Sequence, residues 1–172
     1  MTSGERIIRS LRGQKELENQ LAFGFARQKP GRPYLLDCEE GGVRLRLEVE
    51  DFDRLGVLLT DMQFELQGLD SDGDRFDGHI EALSRGTRHL GIGLRLIERD
   101  DNAMQAVLRT IPTREAASRY FEMILLGDLS VTLRHFTLHK KTRQRTPTSA
   151  NMSMEAFVQL VDGLFGVFNR SS

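Results

Sequence analysis

Val43-Arg44-Leu45-Arg46-Leu47-Glu48-Val49-Glu50 alternates apolar and charged residues without a break. A β-strand sends successive side chains to opposite faces. Val43, Leu45, Leu47 and Val49 therefore share one side, and Arg44, Arg46, Glu48 and Glu50 share the other. The period predicts a half-buried strand with one wet face, as in an antiparallel sheet covered on one side. Immediately upstream, Gly41-Gly42 separates this strand from Tyr34–Glu40. Two glycines accept the positive φ angles of a two-residue hairpin turn. Downstream, Leu55–Leu66 reads as a third strand with Met62, Phe64 and Leu66 on one face.

Working outward, residues 5–28 read as a helix. Ile7, Ile8 and Leu11 make one apolar patch, and Leu17, Leu21 and Phe25 recur at spacing four. Gly13 is a candidate break between the two pieces, because glycine costs about 1 kcal/mol inside a helix. Lys29-Pro30-Gly31-Arg32-Pro33 ends it. Phe76, Ile80, Leu83 and Leu90 predict a helix over 75–90, with a strand over 78–85 as the competing reading. Ile92–Arg99 and Ala103–Ile111 form a second hairpin around Asp100-Asp101-Asn102. Pro112 and Thr113 open a further helix that turns Ala116, Ala117, Tyr120, Phe121, Ile124 and Leu125 inward and ends at Gly127. Leu129–Lys140 is a strand, and 141–150 is a basic polar loop, exposed and mobile. In the last helix, 153–168, Ser153 is the N-cap. Met154, Phe157, Val158, Val161, Leu164, Phe165 and Phe168 form a stripe that must be buried, in the core or against a second subunit.

These elements predict one α+β domain over 1–172: an antiparallel sheet of five to six strands with three to four packed helices. Val43–Asp51 resembles Ile92–Asp100, each opening a hairpin followed by a helix; one reading is a duplicated ββα unit with a groove between its halves, and the other is the chance likeness of any two amphipathic hairpins.

The 172 residues carry a formal net charge of −1, which argues against a general nucleic-acid binder. Charge is uneven along the chain. Residues 32–81 hold five basic and fourteen acidic groups, whereas 129–150 hold five basic groups and no acid. No apolar run approaches the ~18 residues of a membrane span. MTSGERIIRSLRGQKELENQ is charged and lacks an apolar signal core, so no secretory leader is expected. Cys38 is the only cysteine. An internal disulfide is excluded, and a reducing cytoplasm is the default compartment.

Candidate sites are few. Asp70-Ser-Asp72-Gly-Asp74-Arg-Phe76-Asp-Gly78-His-Ile-Glu81 puts carboxylates where a calcium-binding EF-hand loop has them, at positions 1, 3, 5 and 12. Arg75 stands where that loop has glycine, and the segment before it reads as strand. The resemblance implies calcium held by Asp70, Asp72, Asp74 and Glu81. Without an ion, the loop is a soluble acidic turn whose Asp74 caps the next helix. His135 and His139 sit four apart on a strand, where both share a face at wide separation; polar histidines on a sheet are the expectation. No GxSxG, P-loop, GxGxxG or HExxH pattern is present. Arg27 and Arg32 precede Asp51-Phe-Asp53-Arg-Leu-Gly56, and this order resembles the PilZ family, which binds cyclic di-GMP. The arginines are five apart where that family has four, and Asp53 replaces its serine. Arg134, Lys140, Lys141, Arg143 and Arg145 fall within twelve residues and form a candidate site for an anionic partner.

With no catalytic constellation legible, the sequence points to a non-enzymatic cytoplasmic binding or regulatory protein, a homo-oligomer or bound to a protein partner, with no cofactor. The alternatives are an enzyme with a dispersed site and a ligand-sensing module for calcium or a cyclic dinucleotide.

Overall fold

A computed structural model of the chain describes residues 1–24, 33–67, 72–87, 93–112, 117–127 and 129–169. Helix α1 spans Ser3–Gly24. Strands β1 (Tyr34–Glu40), β2 (Val43–Phe52) and β3 (Gly56–Leu66) follow, then α2 (Gly73–Gly86). Six more strands come next: β4 (Arg95–Asp100), β5 (Gln105–Arg109), β6 (Ala117–Leu126), β7 (Ser130–His139), β8 (Gln144–Pro147) and β9 (Ala150–Ser153). The last element is α3 (Met154–Asn169). The class is α+β, with one antiparallel sheet of nine strands rather than five or six, and three helices among the described residues.

Two differences account for the larger sheet. Residues 117–126, expected as helix, are strand β6, paired along its whole length with β7 and over Glu122–Leu126 with β5. The segment carries two periodicities. Tyr120, Phe121, Ile124 and Leu125 fit helical spacing, but alternation also fits: Met123 and Leu125 enter the core while Tyr120 and Glu122 face away. Flanking strands decide for the strand, since β7 satisfies one backbone edge along its whole length and β5, continued by Thr110, satisfies the other from Phe121 to Leu126. Residues 141–150, expected as loop, are a tight turn, strand β8 and the start of β9. The ββα order thus holds for β2–β3–α2, whereas β6 stands where the second helix of the repeat was expected.

The strand order is β1-β2-β3-β7-β6-β5-β4. At its upper end β3 pairs with β7, Asp61–Glu65 against Ser130–Arg134. At its lower end Gly56–Leu59 pairs with β9, while β7 pairs with β8. The sheet therefore forks, and the β8–β9 segment fills the fork. Thr148 and Ser149 pin its apex. Thr148 N–H donates to the His135 carbonyl at 3.0 Å, and its hydroxyl meets His135 Nδ1 at 3.0 Å. Ser149 Oγ meets Thr60 Oγ1 at 3.2 Å and donates to Glu50 at 2.5 Å.

The Gly41-Gly42 turn has φ of 59° and 75°, the positive values that hairpin requires. The apolar faces of β2 and β3 pack with Phe157, Leu160, Val161, Leu164, Phe165 and Phe168 of α3 and with Ile7, Ile8 and Leu11 of α1. The C-terminal stripe is therefore covered within one chain. Ser153 caps α3 as expected, accepting the Ala156 N–H at 3.1 Å. Gly13 does not divide α1. The α1 N-terminus abuts α3: Gly4 N–H donates to Asp162 at 2.8 Å, and a Cβ there would lie 2.8 Å from the Val158 carbonyl oxygen. All described helices lie on one side, so among the described residues the opposite face of the sheet carries no helix.

Candidate partner-binding site

The basic residues 134–145 do not form one patch. Alternation on β7 puts Arg134 on the uncovered face, where its Nε donates to Asp61 at 3.1 Å. Arg145, on β8, reaches the same face and donates to Glu122. The turn between β7 and β8, Lys140-Lys141-Thr142-Arg143, closes with the Arg143 N–H donating to the His139 carbonyl at 2.8 Å. Arg143 sits at φ 56°, in the left-handed region a side chain seldom adopts. Lys140, Lys141 and Arg143 are exposed, and among the described residues none has an acid within ion-pair distance. The structure thus separates two neutralised arginines from a free cationic tip.

Glu122 is the residue that the sequence reading missed. It is 4% exposed, yet it lies on the face without helices. Arg109 Nε donates to one of its oxygens at 2.6 Å and Arg145 to the other. Both guanidiniums also cover aromatic rings. Arg145 lies 3.5 Å from the Phe136 centroid, and Arg109 lies 5.7 Å from that of Tyr120. Tyr120 and Phe136 stack at 5.9 Å. Two charge-assisted hydrogen bonds offset the desolvation of the carboxylate, and the rings are closed over by the arginine stems. Read as a strand, Ser118-Arg-Tyr120-Phe-Glu122 already shows an acid aligned with an aromatic; read as a helix, it hides this.

Charge on the uncovered face is segregated. On β1–β3 it carries the acids Asp37, Glu39, Glu48, Glu50, Asp61 and Glu65. Against them stand Arg44 and Arg46, both bound to Asp37, whose carboxyl the Arg44 hydrogen bond holds below its ordinary pKa. On the β4–β8 side, Arg95, Arg109, Arg134 and Arg145 outnumber Glu98, Asp100 and Glu122. Below the acidic half is a groove of about 390 Å³ between the β2–β3 turn and β9, lined by residues including Asp51, Asp53, Leu58 and Asn151. Asp53 Oδ1 accepts the N–H groups of Leu55 at 2.7 Å and Gly56 at 2.9 Å, which hold its carboxyl ionised below the usual range. Asp51 is bound by Lys15 at 2.9 Å.

The other expected sites fall as follows. Asp72 is the N-cap of α2 and accepts the Asp74 N–H at 3.0 Å, so the cap lies two residues before the one expected. Asp74 is in the first turn of α2, and Glu81 pairs with Arg85 further along the helix. Asp70 lies outside the described residues, as do Arg27, Arg32 and His89. A cavity of about 890 Å³ opens between α2 and α3, bordered by His79, Arg75, Arg85 and Asp162. His79 is buried, its ring 4.9 Å from that of Phe168. Cys38 is half-buried on the core side of β1, and burial pushes its thiol pKa up. His135 is half-buried beside Phe121, and desolvation lowers its pKa.

No family model, no curated protein and no solved structure matches the chain.

Proposed function

We propose that the chain is a non-enzymatic binding protein that presents the β7–β8 tip to an acidic protein surface. One observation carries this reading. Arg134 and Arg145 are spent on Asp61 and Glu122, while Lys140, Lys141 and Arg143 are held out on a strand-supported turn with no counter-charge among the described residues. A fixed tip loses little side-chain and loop entropy on docking compared with a floppy basic tail. The arginine-covered rings beneath it do not offer bare aromatic faces, which base stacking on nucleic acid needs.

The experiment compares the wild type with a Lys140→Ser, Lys141→Ser, Arg143→Ser variant on immobilised poly-glutamate and on an immobilised DNA duplex. The wild type should be retained on poly-glutamate at low salt and released as salt rises, and the variant should pass through, with both melting at the same temperature. Equal retention of the variant overturns the reading, as does tighter wild-type retention on the duplex.

A further inference from the structure

The partner's chemistry is written on the chain itself. Four acids on the uncovered face, Glu39, Glu48, Glu50 and Glu65, have no cation within ion-pair distance among the described residues, and all stand on β1–β3. Four cations in the same condition, Arg95, Lys140, Lys141 and Arg143, stand on or beside the opposite half, where Glu98 and Asp100 are the unneutralised acids of that half among the described residues, Asp100 accepting the Asn102 and Ala103 N–H groups. Apart from Arg54 in the β2–β3 turn, the free charge of the β1–β3 half is acidic, and that of the other half is mostly basic.

Resting on the reading above, we infer that the acidic partner is a second copy of this chain. The two uncovered faces meet about a twofold axis that runs along the strands. That axis exchanges the two sides of the fork and keeps the ends of the sheet in place. The acidic half of each copy then lies on the basic half of the other, as isologous contacts require. A twofold across the strands would set acid on acid. The tip lies between β7 and β8, one strand to one side of the fork. The groove lies between the β2–β3 turn and β9, to the other side of the fork and at the same end. The chosen axis carries each tip over the partner copy's groove. Two sheets whose strands run nearly aligned are an ordinary packing arrangement. The central Asp61–Arg134 pair then meets its own symmetry copy, again with opposite charges facing.

The test is a charge swap read by sedimentation velocity, with a thermal melt on each variant to confirm folding. One variant reverses the tip (Lys140→Glu, Lys141→Glu, Arg143→Glu) and the other reverses the acidic half (Glu48→Lys, Glu50→Lys). The wild type should sediment as a dimer at low salt and dissociate as salt rises. Each folded variant alone should be monomeric, and an equimolar mixture of the two should restore the dimer. A monomeric wild type overturns the inference, and so does a dimer that either variant keeps or a mixture that stays monomeric. Poly-glutamate retention separates the two levels: a monomeric wild type that still needs its tip for retention leaves the binding reading standing, and loss of both removes both.

Discussion

Arg145 sits over Phe136, its guanidinium carbon 3.5 Å from the ring centroid, while the same guanidinium donates to the buried carboxylate of Glu122. One side chain thus closes an aromatic surface and neutralises an acid. Removing Glu122 leaves two arginines facing each other over apolar rings. Removal of one partner of a fully buried pair costs about 3–5 kcal/mol. Because both guanidiniums remain about one-third exposed, Glu122→Ala should cost less, about 1–3 kcal/mol. Urea unfolding measures it. Arg145→Lys should recover little of an Arg145→Ala loss, because an ammonium cannot lie flat on the ring. A silent Glu122→Ala would show that the cluster adds nothing to stability.

Two glycines of α1 should respond with opposite signs. A Cβ at Gly4 would sit 2.8 Å from the Val158 carbonyl oxygen, and one at Gly13 meets nothing within 4 Å. Gly4→Ala should therefore destabilise by about 1–3 kcal/mol, as overpacking does. Gly13→Ala should stabilise by about 0.5–1 kcal/mol through helix propensity. Thermal melts of the two single variants test the α1–α3 contact directly.

Phe157 is fully buried among α3's neighbours. Phe157→Ala should cost about 3–5 kcal/mol, and the loss should be the same at low and high protein concentration because the pocket lies within one chain. A concentration-dependent loss would place the stripe at an interface.

His135 makes stability fall on acidification. Its pKa is lowered in the folded chain, first by desolvation, while in the unfolded chain it titrates near 6.5. Above that value both states are neutral and the residue contributes no slope. As pH drops below it, the unfolded chain takes up the proton first, so stability declines until the folded pKa is passed. His135→Gln should flatten the decline of the urea midpoint below pH 6.5. An unchanged slope would assign the acid limb to other groups.

Asp72 is committed to the α2 N-terminus. Asp72→Ala should cost about 1 kcal/mol, the usual loss for an N-cap, whether or not calcium is present. A melting temperature that rises in millimolar calcium, and only with Asp72 and Glu81 intact, would instead establish the ion site by ligand linkage.

Where a stretch carried a single period, its structure was legible. Val43–Glu50 could only alternate, and Met154–Phe168 could only be an amphipathic helix. Residues 117–126 satisfied both periods, and long-range pairing with β5 and β7 chose between them. No local rule contains that information. Residues 144–153 lack large apolar side chains apart from Met152, so they read as loop. Their strand character comes from the unpaired edges of β3 and β7 that they fill. The candidate site was half legible for the same reason. A basic run is visible in sequence, but which cations are spent depends on Asp61, 73 positions before Arg134, and on Glu122.

The fork also sets a timetable. The upper half of β3 can zip onto β7 once residue 134 is available, but Gly56–Leu59 finds its mate only in Ala150–Ser153, the last strand before α3. Until those four residues leave the ribosome, the lower end of β3 is an open template for any passing strand. Loop closure over about ninety residues makes this the slow step of assembly. The nascent chain is thus most prone to wrong pairing just before α3 emerges.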